Sequence, residues 1–109
     1  MNIVEKYGGT SVGTIEQIQA IALHAKHMKE QGHNLVIVAS AMGKTTNKLI
    51  ELAHSVTNNP NKRELDSLLS TGEQQTITLL AIAMNALGVD AISLTGYQAG
   101  FLASTILVL

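Results

Sequence analysis

The chain has 109 residues, 46% hydrophobic and 14% charged, with a net charge of −1 at pH 7, which suits one globular unit with a modest core and excludes a disordered or fibrous chain. One Phe, two Tyr and no Trp on a near-neutral chain leave little with which to stack bases or neutralise phosphates, so the expected partner is a small ligand and no nucleic acid. The absence of cysteine excludes a disulfide framework and thiolate chemistry.

The first element expected is a short strand over Asn2 to Tyr7, ended by Gly8 and Gly9. Its opening, MNIVEKYGG, lacks a basic region followed by a long apolar run, so no secretory signal is read and the cytoplasm is the expected compartment. Thr14 and Gln17 have the spacing of a capping box, and Ile15, Ile18, Ile21, Ala22, Ala25 and Met28 recur at helical intervals until Gly32. Leu35 to Ser40 is a continuous apolar run of the kind found in parallel strands, completing a βαβ unit. A second helix is expected from Thr45 to Val56, broken by NNPNK before a third begins near Arg63. Ser70-Thr71-Gly72 is expected to interrupt that helix, with a further one from Glu73 to Leu87 stopped by Gly88. A strand over Ala91 to Thr95 follows, and the apolar tail FLASTILVL is shorter than the ~20 residues a membrane helix needs. Strands alternating with helices favour a parallel sheet with right-handed crossovers, whose ligands gather beyond the carboxyl ends of the strands. Three small-residue loops, GGTS, SAMGKTT and TGYQAG, are expected there.

Within VASAMGKTTNKL the letters GKT invite comparison with a phosphate-binding P-loop, but that pattern requires a glycine where Val38 stands. A β-branched residue cannot cheaply supply the positive φ of that turn, so the P-loop reading fails. The dinucleotide pattern G-x-G-x-x-G fails as well, because Thr10 occupies its second glycine position. Lys6 is either a solvated strand-end lysine or, beside two glycines that let backbone approach a ligand, a charge set against a transferring phosphoryl group. Glu73 either favours the positive end of its helix or, facing the strand ends, holds an ammonium group. His24 and His27 lie one turn apart with no third ligand nearby, so they read as surface histidines, and no metal site is assigned. Met28, Met42 and Met84 read as packing residues.

Four ordered motifs, KYGGTSVG at Lys6 to Gly13, VASAMGKTTNKL, LLSTGEQ at Leu68 to Gln74 and VDAISLTGYQAG at Val89 to Gly100, closely resemble those of the aspartokinases of the amino-acid kinase family. The resemblance implies an α/β three-layer sandwich with a mainly parallel sheet, of which residues 1–109 would be the N-terminal portion. It also implies transfer of the γ-phosphoryl group of ATP, with Mg²⁺, to the side-chain carboxylate of L-aspartate, giving 4-phospho-L-aspartate. In the family that step opens the route to lysine, threonine and methionine. By position, Lys6, Tyr7, Gly8 and Gly9 match the segment that contacts ATP phosphates, with Lys6 as the catalytic charge. Ser40, Thr46 and Glu73 match substrate-binding positions, Glu73 pairing with the aspartate amino group. An aspartate carboxylate is already an anion, so no general base is required. After Gly100 the chain departs from the family pattern, so a nucleotide-binding half and ACT domains are not expected within residues 1–109. The tail reads as the mark of a fragment, a truncated gene or a frame change near Phe101. No membrane partner is expected, and a homo-oligomer is compatible with a full-length form. Two other expectations stand beside this one: a different amino-acid kinase, or a non-catalytic piece that keeps ligand binding.

Overall fold

The computed structural model describes residues 1–94 and 106–109. In chain order it contains strand β1 (Asn2–Tyr7), a 3-10 turn (Gly9–Val12), helix α1 (Ile15–Glu30), strand β2 (Asn34–Ala39), helix α2 (Thr45–Val56), helix α3 (Lys62–Ala86), strand β3 (Ile92–Leu94) and strand β4 (Ile106–Val108). The TGYQAG loop and Phe101 lie outside the described residues.

The first half follows its local chemistry. The Gln17 amide donates to Thr14 Oγ1 at 3.2 Å while Gln17 Oε1 accepts from the Thr14 amide at 3.1 Å, a reciprocal capping box that starts α1. Gly32, at φ +88°, lets the chain turn out of the helix into β2. Of the apolar positions expected on the buried face of α1, Ile18, Ile21, Ala22 and Ala25 are buried, Met28 packs against the core, and Ile15 is exposed in the first turn.

One expectation is overturned. Ser70-Thr71-Gly72 does not interrupt the chain of helical turns: α3 runs unbroken for 25 residues, from an Asn61 cap whose side chain accepts from the Glu64 amide. The hydroxyls that suggested a break bond back into the helix instead, Ser70 Oγ to the Ser67 carbonyl at 2.6 Å and Thr71 Oγ1 to that of Leu68 at 2.7 Å. Buried Thr76 does likewise with the Gly72 carbonyl at 3.3 Å. A mid-helix glycine costs about 1 kcal/mol against alanine, so Gly72 needs a reason in packing. The reason is close contact: a Cβ there would lie 2.9 Å from Ala41 Cβ.

The sheet has the order β1-β2-β4-β3. β1 and β2 pair in parallel, while β4 pairs antiparallel with both β2 and β3, so β1, β2 and β3 share one direction and β4 opposes them. The last residues of the apolar tail take an interior position in the sheet, with Leu107 fully buried. Helices α1 and α3 pack on each other and on one face of the sheet, over Leu35, Ile37, Ala39 and Leu107, and α2 rests on α3. The opposite face carries the aligned row Val4, Val36, Val108 and Ile92, over which no described element is laid. The described residues thus form a sheet layer and one helix layer of an α/β sandwich. No described helix is long and apolar enough to cross a membrane.

Candidate functional site

The carboxyl ends of β1 and β2 lie side by side, Tyr7 opposite Ala39, because the two strands pair in parallel without stagger. The loops that leave them stay joined. The Ser40 amide donates to the Tyr7 carbonyl at 3.1 Å, and the Gly43 amide donates to the Gly9 carbonyl at 3.2 Å. Gly43 takes φ +42°, a left-handed conformation that lets the chain fold back to enter α2. A Cβ on Gly9 would stand 3.2 Å from the Ala41 carbonyl oxygen, a tight contact to which the loop would have to yield by a few tenths of an ångström.

The third component is α3. Gly72 faces the Ala41 methyl and also the side chains of Thr45 and Leu49, at 3.2 and 3.4 Å from its would-be Cβ. Glu73, half-buried, follows at once in the helix. The structure therefore gathers the β1 turn, the β2 loop and the middle of α3 at one end of the sheet. Glu73 sits mid-helix and not at a helix start, which removes the N-terminal reading of its charge.

Each expected site residue has a definite setting. Lys6 is exposed and, by strand alternation, emerges on the open face of the sheet, whereas Tyr7 turns to the helix-covered face. The Tyr7 hydroxyl donates to Glu5 Oε1 at 3.2 Å, and burial, followed by the Glu5 charge, pushes its pKa up to about 12. Its carbonyl accepts from the Ser40 amide of the β2 loop. Gly8 is exposed and Gly9 half-buried in the turn, where the Ser11 amide donates to the Gly8 carbonyl at 3.0 Å. Ser40 is half-buried at the end of β2, and Thr46 is exposed in the first turn of α2, whose Lys44 cap contributes no side-chain hydrogen bond. Lys6 thus leaves β1 on the open face, whereas Glu73 belongs to α3, which packs on the other face of the sheet.

The sequence reading missed a polar contact. His24 Nε2 lies 2.9 Å from Glu5 Oε2, tying α1 to the edge strand β1. Period-2 alternation places Glu5 on the helix side with Ile3 and Tyr7, and that was the available signal. His27 remains exposed, and among the described residues no three His, Asp or Glu side chains gather as metal ligands. A cavity of about 630 Å³ opens at the far end of the sheet, between Asn85, Asp90, Ile92 and Val108, away from these loops.

A sequence model described as the Amino acid kinase family matches residues 1–108. Aspartokinase 2 of Bacillus subtilis is 54% identical over 98 residues, covering 90% of this chain and 24% of that protein. An aspartokinase of Thermus thermophilus is 47% identical over the same share of both chains. In three dimensions the chain is similar to the aspartate kinase from Synechocystis, with a TM-score of 0.85 and 53% identity, over 90% of this chain and 17% of that one. The chain thus spans about a quarter of the length of the curated relatives it matches.

Proposed function

The chain belongs to the amino acid kinase family, and from that premise we propose that it carries the phosphate-loop and aspartate-binding elements of an aspartate kinase. In the proposed reaction a side-chain carboxylate oxygen of L-aspartate attacks the γ-phosphorus of ATP. The bond to the β–γ bridging oxygen breaks, and ADP departs, leaving the acyl phosphate 4-phospho-L-aspartate. Such a transfer asks little covalent chemistry of the protein, so positioning and neutralisation of the phosphoryl charge carry the acceleration.

In this reading Lys6 neutralises charge on the transferring group, and the backbone of Tyr7, Gly8 and Gly9 lines the phosphates. Ser40 and Thr46 contact aspartate at the β2–α2 junction, and Glu73 receives its ammonium group. Mg²⁺, when bound, would help neutralise the phosphate charge. A cytoplasmic protein whose product feeds the synthesis of lysine, threonine and methionine accords with this chemistry.

The observation that carries the reading is the hydrogen-bonded pairing of the Gly9 turn with the Gly43 loop, at the strand ends where open α/β sheets hold ligands. The test is amide-resolved NMR titration of the 109-residue chain. L-Aspartate should shift Ser40, Thr46 and Glu73, and Mg·ATP should shift Gly8, Gly9 and Lys6. Glu73→Gln should weaken the aspartate response by the ~2–5 kcal/mol of a lost desolvated charge pair while sparing the nucleotide response. Equal losses for both ligands, or a stronger response to L-glutamate than to L-aspartate, would overturn the assignment.

A further inference from the structure

Ala41 is gripped from two sides by residues that lack a side chain. Gly9, in the turn after β1, lies so close that a Cβ on it would stand 3.2 Å from the Ala41 carbonyl oxygen. Gly72, in the middle of α3, lies so close that a Cβ on it would stand 2.9 Å from the Ala41 methyl, a separation that side chains do not tolerate. The same point on α3 abuts Thr45 and Leu49 of α2, at 3.2 and 3.4 Å. Ala41 itself is buried, and the loop it belongs to is held to the β1 turn by the Gly43 amide on the Gly9 carbonyl. Three segments distant in sequence therefore meet at one methyl group.

We infer that Gly72 is a positioning residue: by lacking a Cβ it seats Ala41 and the first turn of α2 on α3, and through Ala41 it ties the helix bearing Glu73 to the glycine turn after β1. The helix accepts a poor helix former at this position because anything larger would lift the loop. Lifting it would move Ser40 and Thr46 away from Glu73 and strain the Gly43–Gly9 hydrogen bond together. For its functional meaning the inference rests on the proposed aspartate kinase reading; its structural content does not.

The experiment compares Gly72→Ala, Ala41→Gly and the double variant in the 109-residue chain by amide hydrogen exchange. In Gly72→Ala the Gly43 amide should exchange about tenfold faster, the factor that accompanies an ordinary contact loss, while amides in the middle of α1 keep their protection. The double variant, which removes the clashing methyl, should recover most of that protection. If Gly72→Ala does not fold, recovery of native circular dichroism by the double variant reads the same contact. Unchanged Gly43 exchange in Gly72→Ala, or a double variant no better than the single one, overturns the inference. A second arm follows the aspartate-induced shift of Thr46 in folded protein, which should weaken in Gly72→Ala and return in the double variant. Loss of the shift in all variants with normal exchange behaviour would count against the coupling. A missing shift in the wild type would instead count against the aspartate assignment, while the exchange arm still decides the seat.

Discussion

The two faces of the sheet have different fates. On one, Leu35, Ile37, Ala39 and Leu107 disappear beneath α1 and α3; on the other, Val4 and Ile92 are 72% and 59% exposed at the two ends of an apolar row that no described element covers. The covered face sets the fold and holds the loop junction through α3. The open face receives Lys6, the residue proposed to act on the phosphoryl group. Half of the proposed chemistry therefore hangs from a packed core, and half projects into water.

The largest consequence concerns turnover. Holding two substrates in reacting geometry can be worth ~7–11 kcal/mol, and a charge acts strongly on a transition state only where water is excluded. With Lys6 exposed on a face that no described element covers, the 109-residue chain should show no appreciable aspartate-dependent ADP release, even where binding persists. A kcat near the ~1–100 s⁻¹ usual for kinases, measured on monodisperse protein, would show that the open face is no handicap.

The comparison of faces is sharpened by neighbouring residues of one strand. Ile37→Ala, beneath the helices, should cost about 2–5 kcal/mol because it leaves a cavity in a fully packed site. Val36→Ala, next in sequence but on the open face and only half-buried, should cost about 1 kcal/mol from partial loss of apolar burial. Urea denaturation of the two variants measures both, and equal costs would mean that the outer face is covered in solution.

That asymmetry also marks what could be read from the sequence. The β1-α1-β2 unit was legible because its signals are local: the Thr14–Gln17 box, the Gly32 stop and the apolar run of β2 each act within a few residues. The two strand-end loops of the candidate site were legible in place, with Gly8 and Gly9 after one strand and Ser40 to Thr46 after the next. The continuity of α3 was not, because Ser70, Thr71 and Gly72 carry the local marks of a break, and only the back-bonded hydroxyls and the distant Ala41 methyl explain why none occurs. Nor was the interior place of β4, since strand pairing over such a separation depends on which edge is free. That Lys6 and Tyr7 diverge to opposite faces follows from alternation, but which face is covered depends on α1 and α3 packing together.

A smaller effect tests the open face directly. Val4→Thr and Ile92→Thr should each change stability by no more than about 0.5 kcal/mol, the range of ordinary surface substitutions. Both should lower the binding of an apolar dye such as ANS, because contiguous exposed apolar surface attracts such partners. Unchanged dye binding in the double variant, measured on folded protein, would remove this row as the exposed patch.

The smallest expected effect lies on the covered side of β1, where Tyr7, Glu5 and His24 join strand to helix. Burial and the adjacent Glu5 carboxylate raise the Tyr7 pKa from its ordinary 10.0 to about 12, so the folded state favours the protonated phenol. The unfolded chain then loses its proton first as pH rises, and stability falls wherever the unfolded state binds fewer protons. Tyr7 should therefore leave stability unaffected below about pH 10, and erode it as pH climbs toward the folded value of about 12. Because the ring is only partly buried, solvent screening keeps the change modest. Tyr7→Phe isolates it from lysine titration in the same range: the difference in unfolding free energy between wild type and variant should shrink as pH rises from about 10 toward about 12. A difference that stays constant across that range would mean that the phenol titrates as it does in water, and that the strand-to-helix side of β1 is as open as its other face.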